Sequence, residues 1–155
     1  MSVVAWDGKT IAADRQGTVA GMRHLARKIC LLPVVNSVVA WTGTLDQGVA
    51  LSAWFTAGAD PRSWPEFQKD KEDWTRLIVA TPNRIYTYER LPVLQEIEDS
   101  FFAWGSGRDF AMGALAHGAD AVTAVEIASA WDAGCGLGVD AFSLQNGVFV
   151  RTVAI

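Results

Sequence analysis

Ser2 stands directly behind Met1 and opens an apolar run, Val3-Val4-Ala5-Trp6. With Met1 removed, one residue would carry both a hydroxyl nucleophile and an α-amine able to take its proton. A serine hydroxyl attacks poorly without such a base, and the amine's reference pKa of about 7.7–8.0 lies near working pH. Loss of methionine before a small residue is ordinary, so Ser2 alone reads equally as a processed terminus. Ordered company downstream gives it chemical meaning: Ala12-Ala13-Asp14, Lys28-Ile29, Thr42-Gly43-Thr44, Gly105-Ser106-Gly107 and Asp132-Ala133-Gly134-Cys135-Gly136.

Lys28 begins an apolar stretch with Cys30 and Leu32 on its own face. An ammonium pointed inward there needs a carboxylate, because a buried unpaired charge is costly. Asp14, at the end of an earlier apolar run, is the candidate partner; the alternative is a lysine whose head reaches solvent. Gly43 lies between a buried strand and a helix, where its N–H could face a developing oxyanion at close approach. It serves equally well as a turn glycine. Gly105-Ser106-Gly107 lacks the third glycine of a phosphate loop, since Phe110 stands at that spacing, and a nucleotide site is not expected. His24 and His117 are isolated, and Cys30 and Cys135 have no metal-type spacing, so neither a metal nor another cofactor is expected.

The elements that must position these residues follow from periodicity and turn chemistry. Strands are expected over Ser2–Trp6 and Thr10–Asp14, joined by Asp7-Gly8, and over Lys28–Leu32 and Ser37–Trp41 around Pro33 and Asn36. Both pairs are nearly continuous apolar runs, as in strands covered on two faces. A helix is expected from Leu45 to Thr56, with Leu45, Val49, Ser52 or Ala53, and Thr56 along one side, ended by Gly58 and Pro61. The charged run Lys69-Asp70-Lys71-Glu72-Asp73 suggests a solvated loop or short helix. Then come a hairpin of Arg76–Thr81 and Arg84–Glu89, a short strand Phe101–Trp104, and helices over Arg108–His117 and Ala121–Asp132. Strands Val139–Leu144 and Val148–Val153 close the chain around Asn146-Gly147. Hairpins with two consecutive helices argue for an α+β fold of antiparallel sheets and segregated helix layers.

The 155 residues fit one domain, 1–155, able to bury roughly 70% of its unfolded surface. Half the residues are hydrophobic, 19% are charged, and mean hydropathy is +0.17. A net charge of −4 gives a nucleic-acid partner no electrostatic support. Asp7 and Lys9 interrupt the first apolar run before a signal peptide could form. The longest uncharged stretch, Ile29 to Leu45, falls short of the about 20 residues a membrane helix needs. A soluble cytoplasmic protein is expected.

Three segments carry a resemblance: Thr10-Ile11-Ala12-Ala13-Asp14 followed by Thr18, Arg27-Lys28-Ile29, and Gly105-Ser106-Gly107 leading into a helix. With Ser2 they resemble a proteasome β-type subunit, in particular the HslV-like branch of the N-terminal nucleophile hydrolases, and the match runs from Ser2 to about Leu144. The resemblance implies a four-layer αββα sandwich, peptide-bond hydrolysis and assembly into a homo-oligomeric ring, with an ATP-dependent unfoldase as a possible partner. It implies that Lys28 lowers the proton affinity of nucleophile and amine while Asp14 holds Lys28. It also implies that Ser106 and Asp132 bind the terminal amine, and that the backbone of Thr18 pairs with an extended substrate strand. Trp41 would then narrow the pocket for the residue before the cut bond.

Three departures accompany it. Serine replaces the family's threonine nucleophile, and Asp132-x-x-Cys135-Gly136 puts cysteine where the family has serine, a weaker hydrogen-bond donor. The first hairpin is also several residues shorter than usual, which leaves two registers: Ser2 at the nucleophile position, or, aligning Val4-Ala5 without shift, Met1. The readings that follow are a peptidase acting through Ser2, a non-peptide amidase of the same superfamily, and a catalytically silent ring scaffold.

Overall fold

The polypeptide alternates sides so regularly that its layers can be traced residue by residue. The structure, a computed structural model, describes residues 1–67 and 74–153; the charged run at 69–73 lies outside them. Strand β1 (Val3–Trp6) pairs antiparallel with β2 (Thr10–Asp14). The Asp7 carboxylate closes their turn by accepting the N–H groups of Lys9 and Thr10. β3 (Gln16–Val19) and β4 (Met22–Leu25) form a separate hairpin, followed by β5 (Ile29–Leu32) and β6 (Ser37–Thr42). Helix α1 (Leu45–Thr56) leads through a 3-10 turn at Pro61–Ser63 toward β7 (Arg76–Ala80), β8 (Ile85–Tyr88) and β9 (Gln95–Ile97). Then come β10 (Phe102–Gly105), α2 (Arg108–Ala116), α3 (Ala121–Trp131), β11 (Val139–Gln145) and β12 (Val148–Val153).

Two five-stranded antiparallel sheets result, ordered β10-β1-β2-β11-β12 and β5-β6-β7-β8-β9. In β1, Val3 and Ala5 pack beneath α2 and α3 while Val4 and Trp6 face the other sheet. In β6, Val38 and Ala40 face inward between the sheets, and Val39 and Trp41 meet α1. The period of two therefore places apolar surface on both faces of each sheet, and the layers are helices, sheet, sheet, helix. This is the expected α+β αββα sandwich.

Element boundaries fall within a residue or so of the sequence reading, with instructive exceptions. The inner face of α1 is Gly48, Leu51 and Trp54, whereas Leu45 and Val49 are exposed. The side picked out by the sequence pattern is not the buried one: Gly48 carries no hydrophobic signal, yet it is the residue that lets the helix approach the Trp41 ring. The β3–β4 hairpin was not expected. Its turn, Ala20-Gly21, has positive φ at both positions, the same geometry as Asn146-Gly147, but alanine gives no turn signal. Short, half-polar β9 was also missed. Among the described residues no helix is long and apolar enough to cross a membrane.

Candidate active site

The ends of β1, β2, β5 and β10 and the segment after α3 meet around the first two residues. Asp14, 1% exposed at the end of β2, and Lys28, 6% exposed just before β5, form an ion pair with Nζ 2.8 Å from Oδ1. The same carboxylate accepts the N–H groups of Val3 (3.0 Å), Gln16 (3.2 Å) and Gly136 (3.0 Å). A buried carboxylate so supplied is fixed in place, and it fixes the ammonium in turn.

Ser106 lies in the turn between β10 and α2. Its Oγ accepts the Ser2 N–H at 3.2 Å and lies 3.3 Å from the Ser2 carbonyl oxygen, to which it donates; the Gly107 N–H reaches the same oxygen at 3.2 Å. Gly105 must be glycine: its φ is +96°, and a Cβ there would strike the Ser2 carbonyl. Ser2 is consequently buried, and its Oγ has no hydrogen-bond partner among the described residues.

Lys28 does not address that hydroxyl. Its Nζ donates to the carbonyl oxygen of Met1 at 3.5 Å, and the Met1 side chain lies against Gly134 while remaining 69% exposed. Burial raises the Asp132 carboxyl pKa, but the Gly134 N–H, Ser106, Cys135 and the positive charge of the chain terminus together hold it below the ordinary value. Cys135 is buried; its Sγ lies 3.5 Å from Asp132 Oδ2 and 3.8 Å from Ser106 Oγ. Desolvation, then the charge of Asp14, pushes the thiol up to about 12, so it stays protonated and donates to Asp132.

Ser2, Asp14, Lys28, Ser106, Asp132 and Cys135 thus converge at one end of the sandwich. Gly43 is set between β6 and α1 with φ +104°, and a Cβ there would sit 2.6 Å from Thr75 Cα and Oγ1. No backbone hydrogen bond joins it to Ser2 among the described residues. The Trp41 amide donates to the Lys28 carbonyl at 3.0 Å, while the indole packs against Gly48. The same indole lines a pocket of about 460 Å³ with Val49, Ser52, Ala53, Thr56 and Ala57. Thr18 is exposed on β3, opposite Arg23.

Two contributors had no sequence signal. Gln16 is 1% exposed and its Nε2 donates to the Ala133 carbonyl at 2.9 Å, tying the Asp132–Gly136 segment to the Asp14 strand. Thr75 Oγ1 accepts the Thr44 N–H at 3.1 Å and donates to Gln47 Oε1 at 2.7 Å, which clamps the loop after Gly43. Polar residues at such spacings, between Pro-rich and charged stretches, look like loop solvation until the chain closes on them.

No protein-family model matches the chain. No curated protein matches it in sequence either. Solved structures do. BPH from Thiobacillus denitrificans superposes with a TM-score of 0.69 at 23% identity, covering 94% of this chain and 100% of that one. The same protein in complex with epoxomicin gives 0.70 at 22%, covering 94% and 98%. Eukaryotic HslV from Trypanosoma brucei gives 0.66 at 20%, covering 90% and 96%. The chain has an HslV-like proteasome β-subunit fold.

Proposed function

We propose that this HslV-like chain is an N-terminal nucleophile hydrolase that cleaves amide bonds of peptides or unfolded proteins through Ser2 once Met1 is removed. The observation that carries the reading is the Ser2 nitrogen, held 3.2 Å from Ser106 Oγ beside the buried Lys28–Asp14 pair. While Met1 is attached that nitrogen is an amide and cannot act as a base. Removing Met1 makes it an amine, deletes the carbonyl that Lys28 now addresses, and uncovers the Ser2 hydroxyl.

The reaction then runs on the chain's own groups. Ser2 Oγ attacks the substrate carbonyl as the α-amine takes its proton, directly or through a water. Lys28 lowers the proton affinity of both, and Asp14 holds Lys28. The Gly43 N–H stabilises the oxyanion. The tetrahedral adduct collapses as the C–N bond breaks and the α-amine returns the proton to the leaving amine. Water then hydrolyses the acyl-serine. Ser106, Asp132 and Cys135 orient the amine, Thr18 pairs with an extended substrate, and the Trp41 pocket receives the residue before the cut. In this reading the chain is one cytoplasmic domain that assembles into a homo-oligomeric ring, fed, where one exists, by an ATP-dependent unfoldase. A non-peptide amide would pass through the same steps, since fold does not set substrate.

The alternative of a silent ring scaffold has its own observation: residue 1 occupies the nest, with its carbonyl on Lys28 and its terminal charge near Asp132. One experiment separates them. The purified protein is incubated with epoxomicin, the compound held by the BPH structure, and its N-terminal peptide is analysed by mass spectrometry. A Met1-free N-terminus carrying an adduct on Ser2 supports the hydrolase. Retention of Met1 in every molecule, with no adduct, supports the scaffold.

A further inference from the structure

The two partners of the buried ion pair are joined by a hairpin whose charge runs against that of the whole protein. From Arg15 to Lys28 the sequence has four basic residues and no acidic one, in a chain of net charge −4. Lys28 is neutralised by Asp14. Arg15, Arg23 and Arg27 enter no ion pair among the described residues. Arg23 and Arg27 are exposed, and Arg15 Nε is buried with no acceptor among the described residues. A guanidinium donor buried without a partner is costly, and a bound molecule that brings an acceptor satisfies it.

The backbone adds a second requirement. β3 and β4 form a two-stranded sheet, so among the described residues the outer edge of each strand pairs with no other strand. Such an edge offers a row of N–H and C=O groups to an extended peptide. Thr18 and Arg23 are directly opposed in register and therefore share a face, with Leu25 two residues further along it. An added strand would meet hydrogen-bonding groups, an apolar contact and a guanidinium together. Arg27 follows at the base, next to Lys28.

We propose that the β3–β4 hairpin is an electropositive docking edge that selects extended acidic peptide segments and leads them to the Asp14–Lys28 site. This deepens the hydrolase reading and rests on it for the direction of travel. A strand edge favours peptide over nucleic acid, and three unpaired arginines release few counterions. The remainder of the chain is acidic and repels the same peptide, so attraction is confined to about a Debye length of the hairpin, ~8 Å at physiological ionic strength.

The test measures binding apart from turnover. Fluorescence anisotropy follows a labelled Glu-rich peptide, its Gln isostere and a thymidine oligonucleotide of matching charge on the Ser2→Ala protein. The Glu-rich peptide is expected to bind about fivefold more tightly than the Gln isostere at low salt, with the difference fading as salt rises. Arg23→Gln with Arg27→Gln should abolish the difference, and the paired Lys variants should keep it. Equal binding of the two peptides, indifference to the arginine variants, or equal binding of the oligonucleotide overturns the proposal. Preferential binding of the acidic peptide by a Met1-free protein that cleaves no peptide upholds the docking edge and overturns the hydrolase reading alone.

Discussion

Lys28 Nζ meets Asp14 Oδ1 at 2.8 Å with both side chains sealed from solvent, and the two residues sit at opposite ends of the β3–β4 hairpin. One contact therefore closes the hairpin's base, ties one sheet to the other, and places a cation beside the first two residues.

That pair is unequal in what each partner holds. Asp14 also receives three backbone N–H groups, whereas among the described residues the Lys28 ammonium has one further partner, the Met1 carbonyl. Asp14→Ala should cost about 3–5 kcal/mol, because it strands a buried ammonium and three donors. Lys28→Met should cost less, since the carboxylate keeps its backbone donors. Urea unfolding of both variants checks the order, and equal losses would contradict it.

Catalysis is expected to depend on the terminus and not on the fold around it. Ser2→Ala in a Met1-free chain should abolish hydrolysis while leaving the urea midpoint nearly unchanged, because the Oγ has no hydrogen-bond partner among the described residues. An uncleavable N-terminal extension should silence the protein equally. Peptide hydrolysis assays on both preparations decide; activity of the extended chain would count against the α-amine as base.

Gly43 and Thr75 form a second test. Gly43→Ala combines positive φ with a clash against Thr75 and should destabilise by about 1–3 kcal/mol. Thr75→Val removes both the acceptor for Thr44 and the donor to Gln47. It should lower kcat more than it raises KM, if that loop presents an oxyanion donor. Thr75→Ser, which keeps the hydroxyl, should recover most of the rate.

Cys135 makes stability fall in alkali. Its thiol pKa is raised from an ordinary 9.0 to about 12 by burial first and the Asp14 charge second. Above pH 9 the unfolded chain loses this proton while the folded chain keeps it. Stability is therefore complete below about pH 9 and declines as pH climbs toward 12, by up to about 1.4 kcal/mol per pH unit. Cys30 is raised in the same direction, chiefly by burial, so Cys135→Ser should reduce the slope without erasing it. Chemical denaturation across that range measures the slope. Asp132 acts oppositely: its lowered pKa gives stability present above the unfolded value and lost as pH falls through the folded one.

Much of the architecture was legible from sequence because it depends on local rules. The Asp7-Gly8 and Asn146-Gly147 turns, the apolar runs of β1, β2, β5 and β6, and the extents of the helices all follow from side-chain type and short-range geometry. Asp14, Lys28, Ser106 and Asp132 were named as one group by the resemblance to proteasome β-type subunits, which their order along the chain carries. Tertiary contact decided what those rules do not reach. It turned Gly48, Leu51 and Trp54 of α1 inward and left Leu45 and Val49 exposed, because the helix approaches the Trp41 ring where Gly48 has no side chain. It let Ala20-Gly21 form a tight turn and brought Gln16 and Thr75 from polar connecting segments into the walls of the site. It also set Lys28 on the carbonyl of Met1 and not on the hydroxyl of Ser2. A difference of one residue in register reverses which side chain faces which layer, and that choice is made by packing over the whole sheet, beyond the range of any local motif.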